Sequence, residues 1–428
     1  MSKGIVTGID IGSSKITTLI VNVEDENTSV LGVSSYKSNG IKNGVIVNIN
    51  DAVKSISESL SAAERMAGVE VKSAYISLGC RQISSTNNKG VVAISNDEIS
   101  QEDINRVCES SVAISVPQSV KILQTISREY VVDSQGGIKN PIGMAGIRLE
   151  MDTHIISVGS MVMHNLHKCV AQVGLEVVDS IFSGWADAEV ILNSTERELG
   201  VILLDIGYGV TDIVMYLDDA IAFSGSIALA GLSITNDLAI GLKISVEDAE
   251  KLKCYYPILI KKAQQRAESE NKSKKVSANK SIFTKEDLYL RLSDIGIETE
   301  SNLDEIRKSM IDEIIEARIY EIFDNVKKLI VEAGFDIKLS TSVVLTGGSS
   351  KLYAISKMAQ KYFSTSSRVG YPTNFSSLND EISGPTYSTI QGIVNYGIQS
   401  LSQEKYKSKK NFSINPNGLI EWIKNFVS

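Results

Sequence analysis

The apolar positions near the start of the chain alternate. Ile5, Ile9 and Ile11 are followed by Ile16 to Val23, which reads Thr-Thr-Leu-Ile-Val-Asn-Val after its first isoleucine. This pattern predicts two strands joined by the turn GSSK. A third short strand is expected over roughly Ser29 to Ser35. A helix is expected from Ile49 to Ala67, where Val53, Ile56, Leu60 and Ala63 recur at helical spacing. VKSAYISLG reads as a further strand. The segment from Arg81 to about Thr153 has a strand–helix–strand character of its own. Its helix begins at Ser100-Gln101-Glu102-Asp103, a capping-box arrangement.

The middle of the chain repeats the opening pattern. Gly200 to Ile227 (GVILLDIGYGVTDIVMYLDDAIAFSGSI) is again strand, tight glycine turn, strand, turn and strand. Two hairpins with Asp-x-Gly at the turn predict a duplicated α/β domain. Lys261 to Lys280 is rich in Lys, Ser, Asn, Gln and Glu, which predicts a solvated loop. Leu303 to Ala333 carries a long amphipathic helical pattern, and SVVLTGGSSKLY (Ser342 to Tyr353) a strand ending in a glycine turn. Ser402 to Pro416 is polar and lysine-rich, which predicts a linker. Gly418 to Val427 closes the chain as a short amphipathic stretch.

Composition narrows the function classes. The 428 residues are 43% hydrophobic and 22% charged, ordinary for a globular chain of several compact units. A net charge of −8 argues against a protein that coats nucleic acid. The basic stretch from Lys261 to Lys280 has no interleaved aromatics, so it reads as solvated and not as a nucleic-acid strip. The four cysteines are scattered with no CxxC pair, which predicts a reducing compartment and no zinc site. His164 and His167 lie at i, i+3 without a supporting ligand set, and read as helix surface. The N-terminus lacks a signal-peptide pattern, and no uncharged apolar run approaches about 18 residues, so a cytoplasmic, soluble body is expected.

The glycine turns carry the chemistry. In GIDIGSSK, Asp10 stands at a strand end, Gly12 permits a tight turn, and Ser13, Ser14 and Lys15 supply donors. Backbone N–H groups and hydroxyls at such a turn can cradle a phosphate, and a nearby carboxylate can hold a metal-bound water. DIGYGVTD repeats the arrangement with Asp205, Gly207, Gly209 and Thr211. Gly347-Gly348 followed by Ser349 lets backbone approach a flat ligand closely. One such hairpin would be an ordinary turn. Two in order, followed by strand–GG–helix, argue against an ordinary turn.

With PTYSTIQGIVNYG, these motifs resemble those of the actin–Hsp70–sugar-kinase superfamily. More narrowly, the chain resembles the FtsA family of bacterial actin-like cell-division proteins. Glu129 to Ile155 is similar to that family's inserted subdomain, and Ile234 to Lys253 to its nucleotide-contacting helix. The resemblance implies an α/β, two-lobed, actin-like ATPase fold of duplicated RNase H-like domains, with an FtsA-type insertion and a C-terminal amphipathic helix. It implies subdomain 1A over 1–80, 155–197 and 385–402, the insertion over 81–154, subdomain 2A over 198–242 and 332–384, and subdomain 2B over 243–331. A linker over 403–416 and a membrane-targeting helix over 417–428 would follow.

The resemblance further implies ATP between the lobes. Mg²⁺ would be held by Asp10 and Asp205 through water. Gly12, Ser13, Ser14, Lys15, Gly207, Tyr208, Gly209 and Thr211 would face the phosphates. Glu250 and Lys253, one helical turn apart, would reach the ribose, and Gly347, Gly348 and Ser349 would border adenine. Tyr208 and Val210 depart from the family's small or hydroxyl residues, and the valine removes a hydroxyl donor; binding with at most weak hydrolysis is expected. Partners implied are the C-terminal peptide of FtsZ, met by Arg318 with Lys308 as a second cation, further copies in a filament, other division proteins, and the cytoplasmic membrane at the septum. A residue-level alternative for Arg318 is a helix ion pair with Glu313, Glu316 or Glu321. In the tail, Leu419, Trp422, Ile423 and Phe426 fall at i, i+3, i+4 and i+7, with Ile420 and Val427 beside them. Two other functions share the fold: a soluble ATP-dependent small-molecule kinase and a PilM-like pilus assembly adaptor.

Overall fold

The computed structural model of the protein describes residues 3–24, 27–114, 116–274, 288–297, 305–375 and 382–410. The chain begins with an antiparallel meander of β1 (Lys3–Ile11), β2 (Lys15–Glu24) and β3 (Asn27–Lys37). Alternation along β2 explains how this sheet is covered on both faces. Ile16 and Ile20 enter one core, while Leu19 and Val21 enter another on the opposite side. After the short ladder of β4 (Ile41–Lys42) and β5 (Val45–Ile46), α1 (Ile49–Ala67) covers the first face. Its N-terminus is fixed by Asn48, whose side chain accepts from the Asp51 amide. β6 (Ser73–Leu78) then pairs parallel with β1.

The insertion follows as β7 (Ser84–Ala93), α2 (Gln101–Val112), β8 (Val120–Val132), β9 (Gln135–Ile138) and β10 (Arg148–Gly159). Its antiparallel sheet runs in the order β7-β10-β8-β9. The expected capping box is present at α2, with Ser100 and Asp103 each accepting from the other's amide. One end of the insertion has its own small core around Val107, Val132 and Leu149. At the other end Leu123, Ile156 and Val158 join a core shared by both lobes, with Ile76 and Leu78 from the first and Val214 and Ile221 from the second. α3 (Ser160–Gln172), β11 (Glu176–Phe182), α4 (Ser183–Ile191) and α5 (Ser194–Leu199) complete that lobe, and β11 pairs parallel with β6.

The second lobe repeats the plan. β12 (Val201–Ile206), β13 (Thr211–Leu217) and β14 (Ala220–Ile227) form its meander. α6 (Gly231–Leu242), α7 (Val246–Lys274), β15 (Tyr289–Arg291), β16 (Glu305–Arg307) and α8 (Lys308–Glu332) follow. β17 (Ser342–Thr346), α9 (Ile355–Phe363) and β18 (Ser366–Val369) complete it. The first sheet has the order β11-β6-β1-β2-β3 and the second β18-β17-β12-β13-β14, a match strand for strand. The hairpins match too: Asp10 pairs with Thr17 as Asp205 pairs with Asp212. The Gly12 amide donates to Lys15 O at 3.2 Å and the Gly207 amide to Val210 O at 3.0 Å.

The last helix among the described residues, α10 (Ser388–Lys410), returns to the first lobe and covers its second face with Ile390, Ile393 and Val394. It lies close to α4 because Gly392 has no side chain; a Cβ there would overlap the Ala186 carbonyl. Two sequence expectations are corrected. The stretch expected to be a loop from Lys261 is helical as far as Lys274, where Gln, Glu, Lys and Ala are good helix formers. The linker expected from Ser402 is likewise helical through Lys410, because SQEKYKSKK contains neither glycine nor proline. The tail from Asn411, including Leu419, Ile420, Trp422, Ile423, Phe426 and Val427, lies outside the described residues. Among the described residues, no helix is long and apolar enough to cross a membrane.

Candidate functional site

A cavity of about 490 Å³ opens between the lobes, lined by both glycine hairpins and by Gly347, Gly348 and Ser349. The size suits a small organic ligand. Duplication accounts for its form, since the same turn is presented from each half of the molecule. In the first turn, Ser13 Oγ accepts from the Gly44 amide at 2.9 Å, which ties the turn to the loop before α1. Lys15 Nζ lies 3.5 Å from the centroid of the Tyr387 ring, a cation–π contact. Burial is the main cause that lowers this ammonium's pKa to about 8, partly opposed by Asp10, with Lys351 adding repulsion.

Carboxylates form the floor. Asp10 Oδ1 accepts from Ser77 Oγ at 2.8 Å, and that hydroxyl in turn accepts from the Ile11 amide. Burial raises the pKa of Asp10 despite this bond and the Lys15 charge. Asp205 is pushed up to about 7, first by burial, with a hydrogen bond to Asp187 lowering it and the Asp10 charge raising it. Asp187 is raised further, again by burial first and then by Asp205, so of these two it keeps the proton. Thr389 Oγ1 donates to Asp187 Oδ1 at 3.0 Å. Asp212, which accepts from Ser226 Oγ, is also raised by burial and by the charge of Asp205.

Sequence reasoning missed Asp212, although the signal was legible. It ends the motif DIGYGVTD, and antiparallel pairing sets it directly opposite Asp205, on the same face of the sheet. The neighbouring Thr211 therefore points to the other face. It is buried, its hydroxyl donates to Leu229 O at 2.7 Å, and it is not among the residues lining the cavity. This corrects its expected place at the phosphates. Asp10, Gly12, Ser13, Ser14, Lys15, Asp205, Gly207, Tyr208 and Gly209 do line the cavity.

Glu250 and Lys253 also line it, but differently from the expectation. Lys253 is buried, and its ammonium donates to Gly231 O at 3.0 Å, Thr235 Oγ1 at 2.8 Å and Glu250 Oε2 at 2.7 Å. Its three donors are thus all engaged, and it acts as a brace for Glu250. Gly347 has φ +81°, and a Cβ there would overlap Asp205 Oδ1, so backbone conformation and space both require glycine. Ser349 Oγ donates to Gly207 O at 2.9 Å and joins the third turn to the second.

Away from the cleft, Arg318 makes a two-pronged bond to Asp237, with Nε to Oδ2 at 2.6 Å and Nη2 to Oδ1 at 2.8 Å; it also pairs with Glu321. Lys308 pairs with Asp312. Both cations therefore have partners within the chain. His164 is exposed as expected of a helix surface, whereas His167 is half-buried, with Nε2 2.7 Å from Ser180 Oγ.

The family profile described as SHS2 domain inserted in FTSA matches residues 80–157. The profile described as Cell division protein FtsA matches residues 202–392. The chain is 33% identical to the cell division protein FtsA of Pseudomonas aeruginosa, over 94% of this chain and 91% of that one. Identity is 32% with the protein of that description from Borreliella burgdorferi, over 96% and 95% of the two chains. It is 30% with the one from Escherichia coli, over 93% and 91%. Among solved structures, the PilM-PilN type IV pilus biogenesis complex superposes with a TM-score of 0.60 at 13% identity, covering 92% of this chain and 98% of that one, a likeness of fold alone. The fold is the actin-like one, and the chain belongs to the FtsA family of cell division proteins.

Proposed function

We propose that the protein binds ATP with Mg²⁺ in the cleft and acts in division as a nucleotide-dependent scaffold. One observation carries the reading. Two matching hairpins face one cavity whose floor holds the half-buried carboxylates Asp10 and Asp205 and the buried Asp212, all with raised proton affinity. Such oxygen-only donors suit a hard divalent cation, whose charge would favour their ionised forms. Among the described residues no three His, Cys, Asp or Glu groups form a direct ligand set, so Asp10 and Asp205 would hold the ion through water. The bound ion would offset the charge of the nucleotide phosphates. The chain's own part is to cradle those phosphates with the Gly12–Lys15 and Gly207–Gly209 turns. Glu250, held by Lys253 and Thr235, offers a carboxylate to the ribose hydroxyls, and Gly347 and Gly348 leave room for a flat base.

The scaffold reading adds a membrane and a partner. The tail from Gln403 carries five Lys against two Glu, a net +3 on a chain of net −8. Each lysine near an anionic leaflet contributes about 1 kcal/mol. A helix of about ten residues is ~15 Å long and can lie in the interface but cannot span it. One tail binds weakly, whereas a filament of many binds firmly through avidity, so filament formation and attachment are coupled. Trp422→Glu is expected to release the protein from anionic vesicles while leaving ATP binding intact. Sedimentation with vesicles, with and without nucleotide and FtsZ, measures this, and unchanged co-sedimentation of the variant removes the tether. A soluble kinase would fail this test from the outset.

The acidic C-terminal peptide of FtsZ is the proposed ligand of subdomain 2B, with Arg318 and Lys308 as its cations. Their internal partners alter the expected result. Arg318→Glu places a third acid beside Asp237 and Glu321, so a stability loss of about 1–3 kcal/mol should accompany weaker peptide binding. Arg318→Gln separates the two effects. A fluorescence anisotropy titration in which Arg318→Gln binds as tightly as wild type would assign the arginine to holding α6 and α8 together.

A further inference from the structure

The second glycine turn carries a side chain at one position, between two neighbours that have little room for any. Gly209 abuts the first lobe: a Cβ there would lie 3.0 Å from Ser13 Oγ and 3.1 Å from Asn43 Cα. A Cβ on Gly207 would lie 3.1 Å from Val210 O, within the turn itself. Tyr208 stands between them, and its backbone is fixed from outside the turn. The Leu232 amide of α6 donates to Tyr208 O at 2.6 Å, and the Gly231 amide to Gly207 O at 3.1 Å. With its backbone held there, the ring faces α7, where Lys253 Nζ lies 5.5 Å from its centroid.

The expectation from sequence set Tyr208 at the phosphates, whereas its ring neighbours the residues proposed for the ribose. Glu250, Lys253 and Cys254 of α7 line the cavity together with it. Burial first, and then the charges of Glu250 and Glu247, raise the pKa of the phenol, so the ring stays neutral in the cavity wall. Among the described residues Tyr208 is the only aromatic side chain lining the cavity. Glu250 beside it is fixed by one oxygen: Oε2 accepts from Thr235 Oγ1 and, at 2.7 Å, from Lys253 Nζ. Its Oε1 meets a single weak donor among the described residues, the Cys254 thiol at 3.5 Å. The carboxylate therefore has a set direction and one oxygen to offer.

We propose that Tyr208 is a specificity-determining residue, whose ring covers one face of the ribose and holds the sugar hydroxyls against Glu250 Oε1, so that the cleft selects ribonucleotides over 2′-deoxyribonucleotides. The proposal rests on the nucleotide reading above and adds the sugar as the point of discrimination. A fixed acceptor discriminates only when the group it meets is fixed as well. The apolar C–H face of a sugar suits an aromatic ring, and cover on that side removes the freedom by which the sugar would turn away. A ligand lacking the hydroxyl then leaves a half-buried carboxylate oxygen without its donor, which costs more than the bond itself contributes.

Calorimetric titration of the full chain with Mg-ATP and with Mg-2′-deoxy-ATP tests this through the ratio of the two affinities. Wild type should bind the deoxy ligand roughly ten- to hundred-fold more weakly, the scale of one hydrogen bond to a charged group. In Tyr208→Ala the ratio should fall to about three or less, because the sugar is no longer held. Tyr208→Phe keeps the ring and should keep the ratio. A Tyr208→Ala protein that binds both ligands more weakly but at the wild-type ratio would show that the ring only packs against α7, and overturns the proposal. Loss of the ratio in Tyr208→Phe would assign the discrimination to the phenol hydroxyl and overturns it too. If Tyr208→Ala does not fold, Tyr208→Gly is read in the same way. If wild type binds the two ligands equally, the sugar reading fails while the nucleotide reading stands. If wild type binds neither, the nucleotide reading fails and this proposal with it.

Discussion

Gly392→Val is expected to unfold the protein or to leave it less stable by at least about 3 kcal/mol, with a clear fall in Tm. The side chain would have to occupy space already taken by the Ala186 carbonyl, where α10 crosses α4. Backbone cannot yield as the end of a flexible side chain can, so the helices must part, and overpacking in a well-packed core costs about 1–3 kcal/mol or more. Parting would also withdraw Ile390, Ile393 and Val394 from the core they share with Val6, Leu19 and Val21. Chemical denaturation of the full chain measures the loss. A variant within about 0.5 kcal/mol of wild type would show that α10 is not held against α4.

Asp205→Asn should lower Mg²⁺-dependent ATP affinity by roughly 30-fold, about 2 kcal/mol, the scale of one lost charge-assisted interaction. Metal-free nucleotide binding should change little. The pKa of about 7 adds a second readout. Mg²⁺ requires the ionised carboxylate, so wild-type affinity should rise between pH 6 and pH 8, and this rise should be smaller in the variant. The sign for stability is the reverse. A carboxyl raised in the folded state contributes stability that is fully present below its unfolded pKa near 4 and is lost as pH rises through about 7. The ligand-free protein should thus lose stability over that range, and Mg-ATP should restore most at pH 8. Calorimetry showing the same metal dependence in both proteins would remove Asp205 from the site.

Much of this site was legible in the sequence because its parts are local. A hairpin turn is specified within about ten residues, and GIDIGSSK, DIGYGVTD and LTGGSS each contain their own strand end and turn. α1 was legible for the same reason, its apolar period lying in a single stretch. What was missed depends on pairing across the sheet or between helices. Asp212 and Thr211 exchange places because register, and not the motif, decides which faces the cleft. Lys253 matches a nucleotide-contacting pattern, yet its donors are absorbed by Gly231 and Thr235, which lie on a different helix. The bonds of His154 to Asn87 and Ser224 join residues 67 and 70 positions away, with no motif to announce them. The helical runs after Lys261 and Ser402 were misread for the opposite reason. Their polarity suggested solvent, whereas local propensity favours a helix even without an apolar face.

The position of α10 also bears on the order in which the chain can fold as it leaves the ribosome. The second lobe's sheet is encoded without a break from Val201 to Val369 and can close once that stretch has emerged. The first lobe begins earlier and finishes later. β11 reaches β6 only after the whole insertion has been made, and the face bearing Val6, Leu19 and Val21 waits for Ile390, Ile393 and Val394 at the far end of the chain. Synthesis thus leaves an apolar surface of the N-terminal lobe exposed for most of the time the polypeptide is growing. Contacts of such long sequence separation slow folding, and transient apolar surface of this kind draws chaperones or drives aggregation. The half made first is completed last.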